Sequence, residues 1–275
     1  MDTPIDNSKR DLVYKNTPQR DLLLTFLPPT EEKYEYAPVY FVIPGGGWHS
    51  EKREDMLDMT KEAVEILRKN GFAVISIDYR TCREENIVMR DILCDCFDAA
   101  RYAAHFDKVL KIDRHKFIPG GHSAGGHLAL MLACAPQKEF YDGYEFQDEF
   151  GISAAAVQSP VTVLYDNSTH NLRDLSEVFG DNFNESELRK TSPISYISKD
   201  TPPTLLCAGT CDYLVFPISS QQFYNKLKEN GVDCKIIYSH GGGHCFEQII
   251  DGIEPSISKE EMQKLIAEFI MTKVR

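Results

Sequence analysis

A chain of 275 residues with 42 acidic and 30 basic side chains carries a formal net charge of −12 at pH 7. This charge disfavours nucleic acid and anionic membrane surfaces as partners. The length and the 42% share of hydrophobic residues are typical of one globular domain, here residues 1–275, rather than of a disordered chain.

The sequence shows no clear pattern of a targeting segment, a membrane span or a set of disulfides. The first residues show no basic flank followed by an apolar segment, and no apolar run approaches the roughly 18 residues of a membrane span. A cytoplasmic location is therefore the expectation. The eight cysteines are scattered along the chain, which predicts reduced thiols rather than disulfides or a metal site, and no cofactor is expected.

The periodicity predicts an α/β fold, with a mostly parallel central sheet and helices on both faces, because strand-like and amphipathic segments alternate from about residue 38 onward. The segment "DLLLTFLPP" before them predicts an antiparallel edge strand that two prolines end. Buried strands are predicted at 38–43, 72–78, 152–159, 203–209 and 234–240. Helices are predicted through 56–67, where Asn70-Gly71 supplies a stop, and at 88–106, 124–135, 218–231 and 262–269.

Residues 161–201 interrupt this alternation. Forty residues separate two predicted strands there, and the helical patches around 172–179 and 185–190 are short. Ligands in open α/β sheets bind outside the carboxyl ends of the strands, so an insertion at this place can cover a pocket. The sequence predicts a small lid-like insertion, and a surface embellishment without a role is the alternative.

The stretch "FIPGGHSAGGHLALMLA" contains the form G-x-S-x-G between an apolar run and a helix-forming run. A sharp strand-to-helix turn would expose the hydroxyl of Ser123 beside a helix N-terminus, where partial positive charge favours a developing anion. The flanking glycines, Gly121 and Gly125, would prevent collisions in that turn. His122 and His127 beside the serine are expected to be structural hydrogen-bonding residues.

A serine nucleophile needs a histidine to accept its proton and an acid to orient that histidine. Asp212 follows the strand 203–209 and His244 follows the strand 234–240, in the order serine, acid, histidine. Asp233 precedes a strand, Asp181 lies in the insertion, and His240 is still at a strand end. The sequence therefore predicts a catalytic triad of Ser123, Asp212 and His244. Asp233 and Asp181 are the rival choices for the acid, and His240 is the rival choice for the base.

Acyl transfer also requires hydrogen-bond donors that face the developing oxyanion. Three glycines follow the strand 38–43 after a single proline, so the N–H groups of Gly46 and Gly47 are predicted to form this hole with the N–H of Ala124. The glycines do not fit a phosphate-binding loop, because no Lys-Ser/Thr pair follows at the required spacing. Trp48, Tyr79 and Phe216 follow the same motifs and are predicted to bind substrate, although each of them suits the core equally well.

The motifs "GGGW", "DYR", "GHSAGGHLA", "GTCDYLVFP" and "GGGHCF" occur in this order between residues 39 and 246. Together they resemble the α/β-hydrolase esterases, especially the small bacterial carboxylesterases of the acetyl esterase and acetylxylan esterase type. The resemblance implies the α/β-hydrolase fold, with the family's nucleophile, acid and base at Ser123, Asp212 and His244. It also implies that the glycine loop and the residue after the serine form the oxyanion hole.

Two departures from that family affect the expected oxyanion hole and the expected substrate. Many relatives have His before the glycine triplet, where this chain has Pro44, so the donor assignment holds to within one residue. The N-terminal cap helices of the hormone-sensitive-lipase branch are not found, which disfavours a long-chain lipid pocket. The resemblance thus implies a metal-free serine esterase on short-chain acyl esters, with an acylated sugar as the substrate it suggests.

Other functions remain open on the sequence. An aryl formamidase shares the glycine-rich loop followed by Trp and the same triad logic, and a catalytically silent binding protein could use the same fold. The expected partner is a small-molecule ester, and the edge strands and the closing helix offer surfaces for a homodimer.

Overall fold

The computed structural model describes residues 9–50, 52–171, 175–180 and 183–274. Eight strands in this part of the chain form one sheet: β1 (Arg10–Asn16), β2 (Asp21–Leu27), β3 (Ala37–Ile43), β4 (Ala73–Ile77), β5 (Ile112–His122), β6 (Ala155–Gln158), β7 (Thr204–Gly209) and β8 (Cys234–Ser239). Nine α-helices lie in the same described ranges: α1 (Arg53–Met59), α2 (Lys61–Lys69), α3 (Met89–His105), α4 (Asp107–Leu110), α5 (Ala124–Cys134), α6 (Ser176–Phe179), α7 (Glu185–Lys190), α8 (Pro217–Glu229) and α9 (Lys259–Lys273). Two short 3₁₀ helices lie at Gln137–Glu139 and Pro193–Tyr196.

The strand order across the sheet is β1-β2-β4-β3-β5-β6-β7-β8. From β4 to β8 every neighbouring pair is parallel, and β2 runs antiparallel to both β1 and β4. This arrangement confirms the predicted mostly parallel sheet. Parallel neighbours place the carboxyl ends of β5, β7 and β8 at one edge of the sheet, where the loops that follow them meet.

Two apolar layers, one on each face of the sheet, form the core. Successive side chains of β3 alternate between them: Phe41 belongs to the layer under α3, α5 and α8, and Tyr40 to the layer under α2 and α9. Both faces of β3 are buried, which explains why its sequence is almost continuously apolar. Helices therefore cover the sheet on both faces, as the sequence predicts.

The two ends of the sheet differ from the sequence-based prediction. The predicted edge strand "DLLLTFLPP" is β2, an internal strand, because β1 pairs with its outer side. The sequence gives little indication of β1, because polar side chains stand at both ends of "RDLVYKN". Tyr14 is the one fully buried residue of this strand. The other edge is β8, which is mostly half-exposed rather than buried, since β7 is its one partner strand within the described residues.

The helix predicted through residues 56–67 is in fact two helices, α1 and α2. Thr60 lies between them with φ −104° and ψ 16°, and its hydroxyl donates to the carbonyl oxygen of Met56 at 2.7 Å. This local bond competes with regular helix geometry, and the side chain of Thr60 is fully buried. None of the helices in the described residues is both long enough and apolar enough to cross a membrane.

The 161–201 segment leaves the sheet after β6 and returns before β7. It contains α6, α7 and the second 3₁₀ helix, and a bridge between His170 and Val215 ties it to the loop after β7. Part of the predicted patch at 172–179, namely 172–174, lies outside the described residues, as does Asp181. The role of this segment as a lid, and the expectation of a single domain over residues 1–275, stay predictions.

Candidate active site

Ser123 lies at the turn between β5 and α5 in a backbone conformation that non-glycine residues rarely adopt, with φ 57° and ψ −121°. Such positions cost about 1–3 kcal/mol and persist only where the surrounding structure enforces them. Here the turn is packed so closely that a Cβ on Gly125 would collide with the carbonyl oxygen of Ile43, and one on Gly121 with the carbonyl oxygen of Gly125. The glycines of the G-x-S-x-G pattern are therefore required by close packing.

Asp212 and His244 meet at the same edge of the sheet, from the loops after β7 and β8. Oδ2 of Asp212 lies 2.7 Å from Nδ1 of His244, and the two residues are only 4% and 8% exposed. Oδ1 of Asp212 accepts the backbone N–H groups of Leu214 and Val215 at 2.9 and 3.0 Å. Both carboxylate oxygens are thus fixed, and Nε2 of His244 remains for proton transfer.

The loop of His244 is attached to the turn of Ser123 through its main chain. The carbonyl oxygen of His244 accepts Nε2–H of His122 at 2.8 Å and the hydroxyl of Ser159 at 2.9 Å. The rings of His122 and His244 are 4.5 Å apart between centroids. Burial lowers the pKa of His122 to about 4, so the ring is neutral at pH 7 and can serve this structural hydrogen bond.

Ser159 is a site residue that the sequence analysis missed. It follows β6 with a positive φ of 44°, and its backbone N–H donates to Cys207 in β7. The one signal in the sequence was a polar residue at the carboxyl end of the predicted strand 152–159, at the same edge of the sheet as Asp212 and His244, which lie just beyond their strands.

The glycine loop after β3 turns sharply, with positive φ at Gly46 (120°), Gly47 (63°) and Trp48 (62°). The carbonyl oxygen of Gly46 accepts the N–H groups of His49 and Ser50, which closes the turn. A Cβ on Gly46 would collide with the carbonyl oxygen of Ser50. Within the described residues, the N–H groups of Gly46, Gly47 and Ala124 donate to no protein acceptor, which leaves them available to a ligand.

The predicted substrate-binding residues are placed differently from one another. Trp48 is 1% exposed and its indole contacts His127, while the fully buried Tyr79 donates its hydroxyl to the carbonyl oxygen of Pro44 at 2.8 Å. Both support the glycine loop from inside, and neither side chain is open to solvent. Phe216 is half-buried directly before α8. Substrate contact by these three residues stays a prediction.

Two of the rival residues, Asp233 and His240, lie away from this constellation. Asp233 is exposed at the opposite edge of the sheet, where it pairs with Lys273 at 2.6 Å. His240 is exposed at the end of β8. The geometry thus brings together Asp212 and His244 rather than either of these alternatives.

Among the residues that the structure describes, one group of carboxylates has the spacing of a metal site: Asp95, Asp98 and Asp142. The ammonium group of Lys15 lies between them, at 2.9, 2.6 and 2.7 Å from their oxygens. The protein supplies its own cation here, so the cluster is a charge network, with Asp95 and Asp98 buried and Asp142 exposed, and does not fit a metal ion.

Comparison with known proteins bears on the family and the fold of this chain. The model of the BD-FAE family matches residues 24–227. Esterase 2 of the planctomycete Thermogutta terrifontis, solved with butyrate bound, is 25% identical, with a TM-score of 0.79 over 96% of this chain and 93% of that one. The same enzyme phosphorylated by paraoxon is 22% identical, with a TM-score of 0.78. These structures confirm the predicted α/β-hydrolase fold.

The curated relatives are longer than this chain. The esterase LipQ of Mycobacterium tuberculosis is 27% identical over 238 residues, which cover 80% of this chain and 53% of LipQ. The non-reducing polyketide synthase prhL of Penicillium brasilianum is 23% identical over 324 residues, 88% of this chain and 13% of the synthase. The chain therefore spans about half of one relative and a small part of the other.

Proposed function

The chain belongs to the BD-FAE family of α/β hydrolases, and on that premise we propose that it is a serine carboxylic ester hydrolase. Ser123 is the nucleophile, His244 the general base and Asp212 the acid that orients the base. Gly46, Gly47 and Ala124 supply the oxyanion hole through their N–H groups.

The reaction follows from these roles. His244 takes the proton of the Ser123 hydroxyl at Nε2 while the oxygen attacks the ester carbonyl, and the oxyanion accepts the free N–H groups. Collapse of the tetrahedral species breaks the bond to the alcohol, which leaves with the proton from Nε2. Water then attacks the acyl-serine by the same route and releases the carboxylic acid. Asp212 keeps the proton on Nδ1 and stabilises the imidazolium.

The observation that carries the proposal is the 2.7 Å bond between Asp212 and His244 beside the strained turn of Ser123. A hydrogen-bonded acid and base on separate loops serve no obvious structural need, and the backbone strain at the serine is a cost that function explains. The same pair weighs against a catalytically silent binding protein.

For the substrate, we favour short-chain acyl esters. The support is the structural likeness to an esterase solved with propionate and with butyrate bound. Acetylated sugars as the natural esters rest on the resemblance of the motifs alone. The cytoplasmic location and the homodimer likewise stay proposals.

Hydrolysis of p-nitrophenyl acetate, butyrate and octanoate tests this function. We expect turnover that falls with acyl length and that Ser123→Ala abolishes. Ser195→Ala, which alters an exposed serine, is the matched control and keeps full activity. Equal turnover by Ser123→Ala would contradict the proposal.

Two further substrates separate the finer alternatives. Acetate release from acetylated xylo-oligosaccharides would support the sugar esters, and its absence would contradict them. Faster turnover of an aryl formamide than of any ester would favour the formamidase, which uses the same residues on an amide.

A further inference from the structure

Trp48 connects the glycine loop to the helix that begins after Ser123. Its indole N–H points at Nδ1 of His127, with 3.3 Å between the nitrogens, and the two rings meet edge to face with centroids 5.3 Å apart. His127 lies one turn into α5, where its backbone N–H donates to the carbonyl oxygen of Ser123 at 3.0 Å. The loop that carries Gly46 and Gly47 is therefore tied to the helix that carries Ala124.

The second nitrogen of His127 is bonded as well. Nε2 donates to the carbonyl oxygen of Thr191 at 2.6 Å, at the end of α7 in the 161–201 segment. An indole can only donate and a carbonyl can only accept, so these partners fix the neutral ring with its proton on Nε2. The ring is fully buried, and this burial lowers the pKa of His127 to about 4. His127 thus stays neutral at pH 7, as both bonds require.

The main chain of Trp48 is held from another side. Its carbonyl oxygen accepts the backbone N–H of Cys82 at 3.0 Å, while its φ of 62° belongs to the left-handed region. With the carbonyl held by Cys82 and the rigid indole held by His127, the peptide units before Trp48 have little freedom to rotate. The directions of the Gly46 and Gly47 N–H groups depend on those peptide units.

We infer that His127 is a positioning residue of the oxyanion hole: through Trp48 it sets the spacing between the N–H donors of the glycine loop and the N–H of Ala124. The inference rests on the proposed function. An oxyanion hole is effective because its donors already face the position of the developing charge, so a loose loop lowers kcat more than it alters substrate binding.

Two substitutions separate the two bonds of His127. In His127→Asn, the amide oxygen lies near the place of Nδ1 and can accept the Trp48 indole, but nothing reaches Thr191. In His127→Gln, the amide nitrogen reaches the place of Nε2 and can donate to Thr191, but the acceptor for Trp48 is lost. Trp48→Phe removes the indole donor and keeps an aromatic ring in the same space.

The kinetic test compares these variants on p-nitrophenyl acetate, per active site titrated. We expect His127→Gln and Trp48→Phe to lower kcat by about 10- to 100-fold with KM changed by less than about twofold, and His127→Asn to retain most of kcat. The double variant of His127→Gln and Trp48→Phe should be no slower than either single variant, because both remove the same bond. Equal losses of kcat in His127→Asn and His127→Gln would overturn the inference.

A second readout does not depend on turnover. Trp48 is the only tryptophan, so the chain has one indole N–H signal in a ¹H–¹⁵N NMR spectrum. A bond to an imidazole nitrogen shifts this proton downfield; we expect His127→Gln to move it upfield and His127→Asn to leave it downfield. An unmoved signal in His127→Gln would overturn the hydrogen bond between Trp48 and His127.

Absence of Ser123-dependent turnover in the unaltered chain would instead overturn the proposed function and, with it, the role of His127 in positioning the oxyanion hole.

Discussion

Nε2–H of His122 donates to the carbonyl oxygen of His244 at 2.8 Å, so the residue before the proposed nucleophile holds the main chain of the proposed base. The hydroxyl of Ser159 shares this acceptor at 2.9 Å. The strained turn at Ser123 and the loop of His244 are thereby fixed relative to each other, although they are separated by more than a hundred residues of sequence.

Replacing His122 should therefore lower the activity that depends on His244, although His244 itself is unchanged. We expect His122→Leu to lower kcat/KM for p-nitrophenyl acetate about tenfold, because the His244 loop loses one of two donors. His122→Gln, whose amide nitrogen can reach the same carbonyl, should stay within about threefold of the unaltered chain. Combining Ser159→Ala with His122→Leu removes both donors and should cost more than either change alone. Equal activity of the Leu and Gln variants would contradict this role.

Stability should fall as the pH is lowered from 7 to 5. Burial lowers the pKa of His122 and of His127 from 6.5 to about 4, so between these values the unfolded chain binds more protons than the folded one. Unfolding free energy then decreases with falling pH, by about 2 kcal/mol for each ring at pH 5. Burial raises the pKa of Asp98 to about 6, which contributes with the opposite sign.

Urea denaturation at pH 7 and pH 5 measures this dependence. The double variant of His122→Gln and His127→Gln should lose clearly less unfolding free energy between the two pH values than the unaltered chain, since neither glutamine titrates. The same loss in both proteins would show that other groups cause the acid sensitivity.

The charge network around Lys15 should be costly to break. Its side chain is 10% exposed and lies among Asp95, Asp98 and Asp142, so Lys15→Met removes the cation that they share, while Asp95 keeps its pair with Arg80 and Asp98 its pair with Arg101. We expect a loss of about 1.5–3 kcal/mol of unfolding free energy in urea denaturation, because charge-assisted hydrogen bonds are lost but the buried carboxylates keep an arginine partner. Lys33→Met removes an exposed pair with Glu31 and should cost less than about 1 kcal/mol. Similar losses in both variants would contradict the role of Lys15.

Gly46→Ala should damage catalysis more than stability. A Cβ at this position collides with the carbonyl oxygen of Ser50, and the backbone φ of 120° disfavours any side chain. The turn must therefore shift, and we expect kcat to fall by about 10²-fold or more. Gly143→Ala has a comparable φ of 95° but open space around it, so it should retain kcat. Full activity of Gly46→Ala would contradict the assignment of this loop to the oxyanion hole.

The sequence predicts the central sheet well because periodicity reports burial. Strands β3, β4 and β7 are buried on both faces, and their continuous apolar runs mark them clearly. β1 was missed because an edge strand with one buried side chain leaves almost no apolar pattern. The break at Thr60 was missed because it depends on a local hydroxyl bond rather than on hydrophobic spacing.

In the candidate site, motif order and strand ends indicated Ser123, Asp212 and His244, because chemistry at the edge of a parallel sheet must come from the loops after its strands. The supporting contacts could not be read in the same way. His127 reaches Trp48 and Thr191 only because two loops fold back onto α5, and Ser159 reaches His244 only because β7 lies between β6 and β8 and pairs in parallel with both. Such contacts depend on tertiary packing that local sequence does not specify.

The measurement that tests the central claim most directly is the site and rate of phosphorylation by paraoxon, followed by intact mass and peptide mapping. The serine oxygen attacks phosphorus and p-nitrophenolate leaves, so one diethylphosphoryl group per chain should be found on Ser123. Asp212→Asn should react about 10³- to 10⁴-fold more slowly, whereas Asp233→Asn, which alters an exposed aspartate far from the site, should react at the unaltered rate. Label on another residue, or equal rates in the two asparagine variants, would contradict a nucleophile at Ser123 that Asp212 and His244 activate.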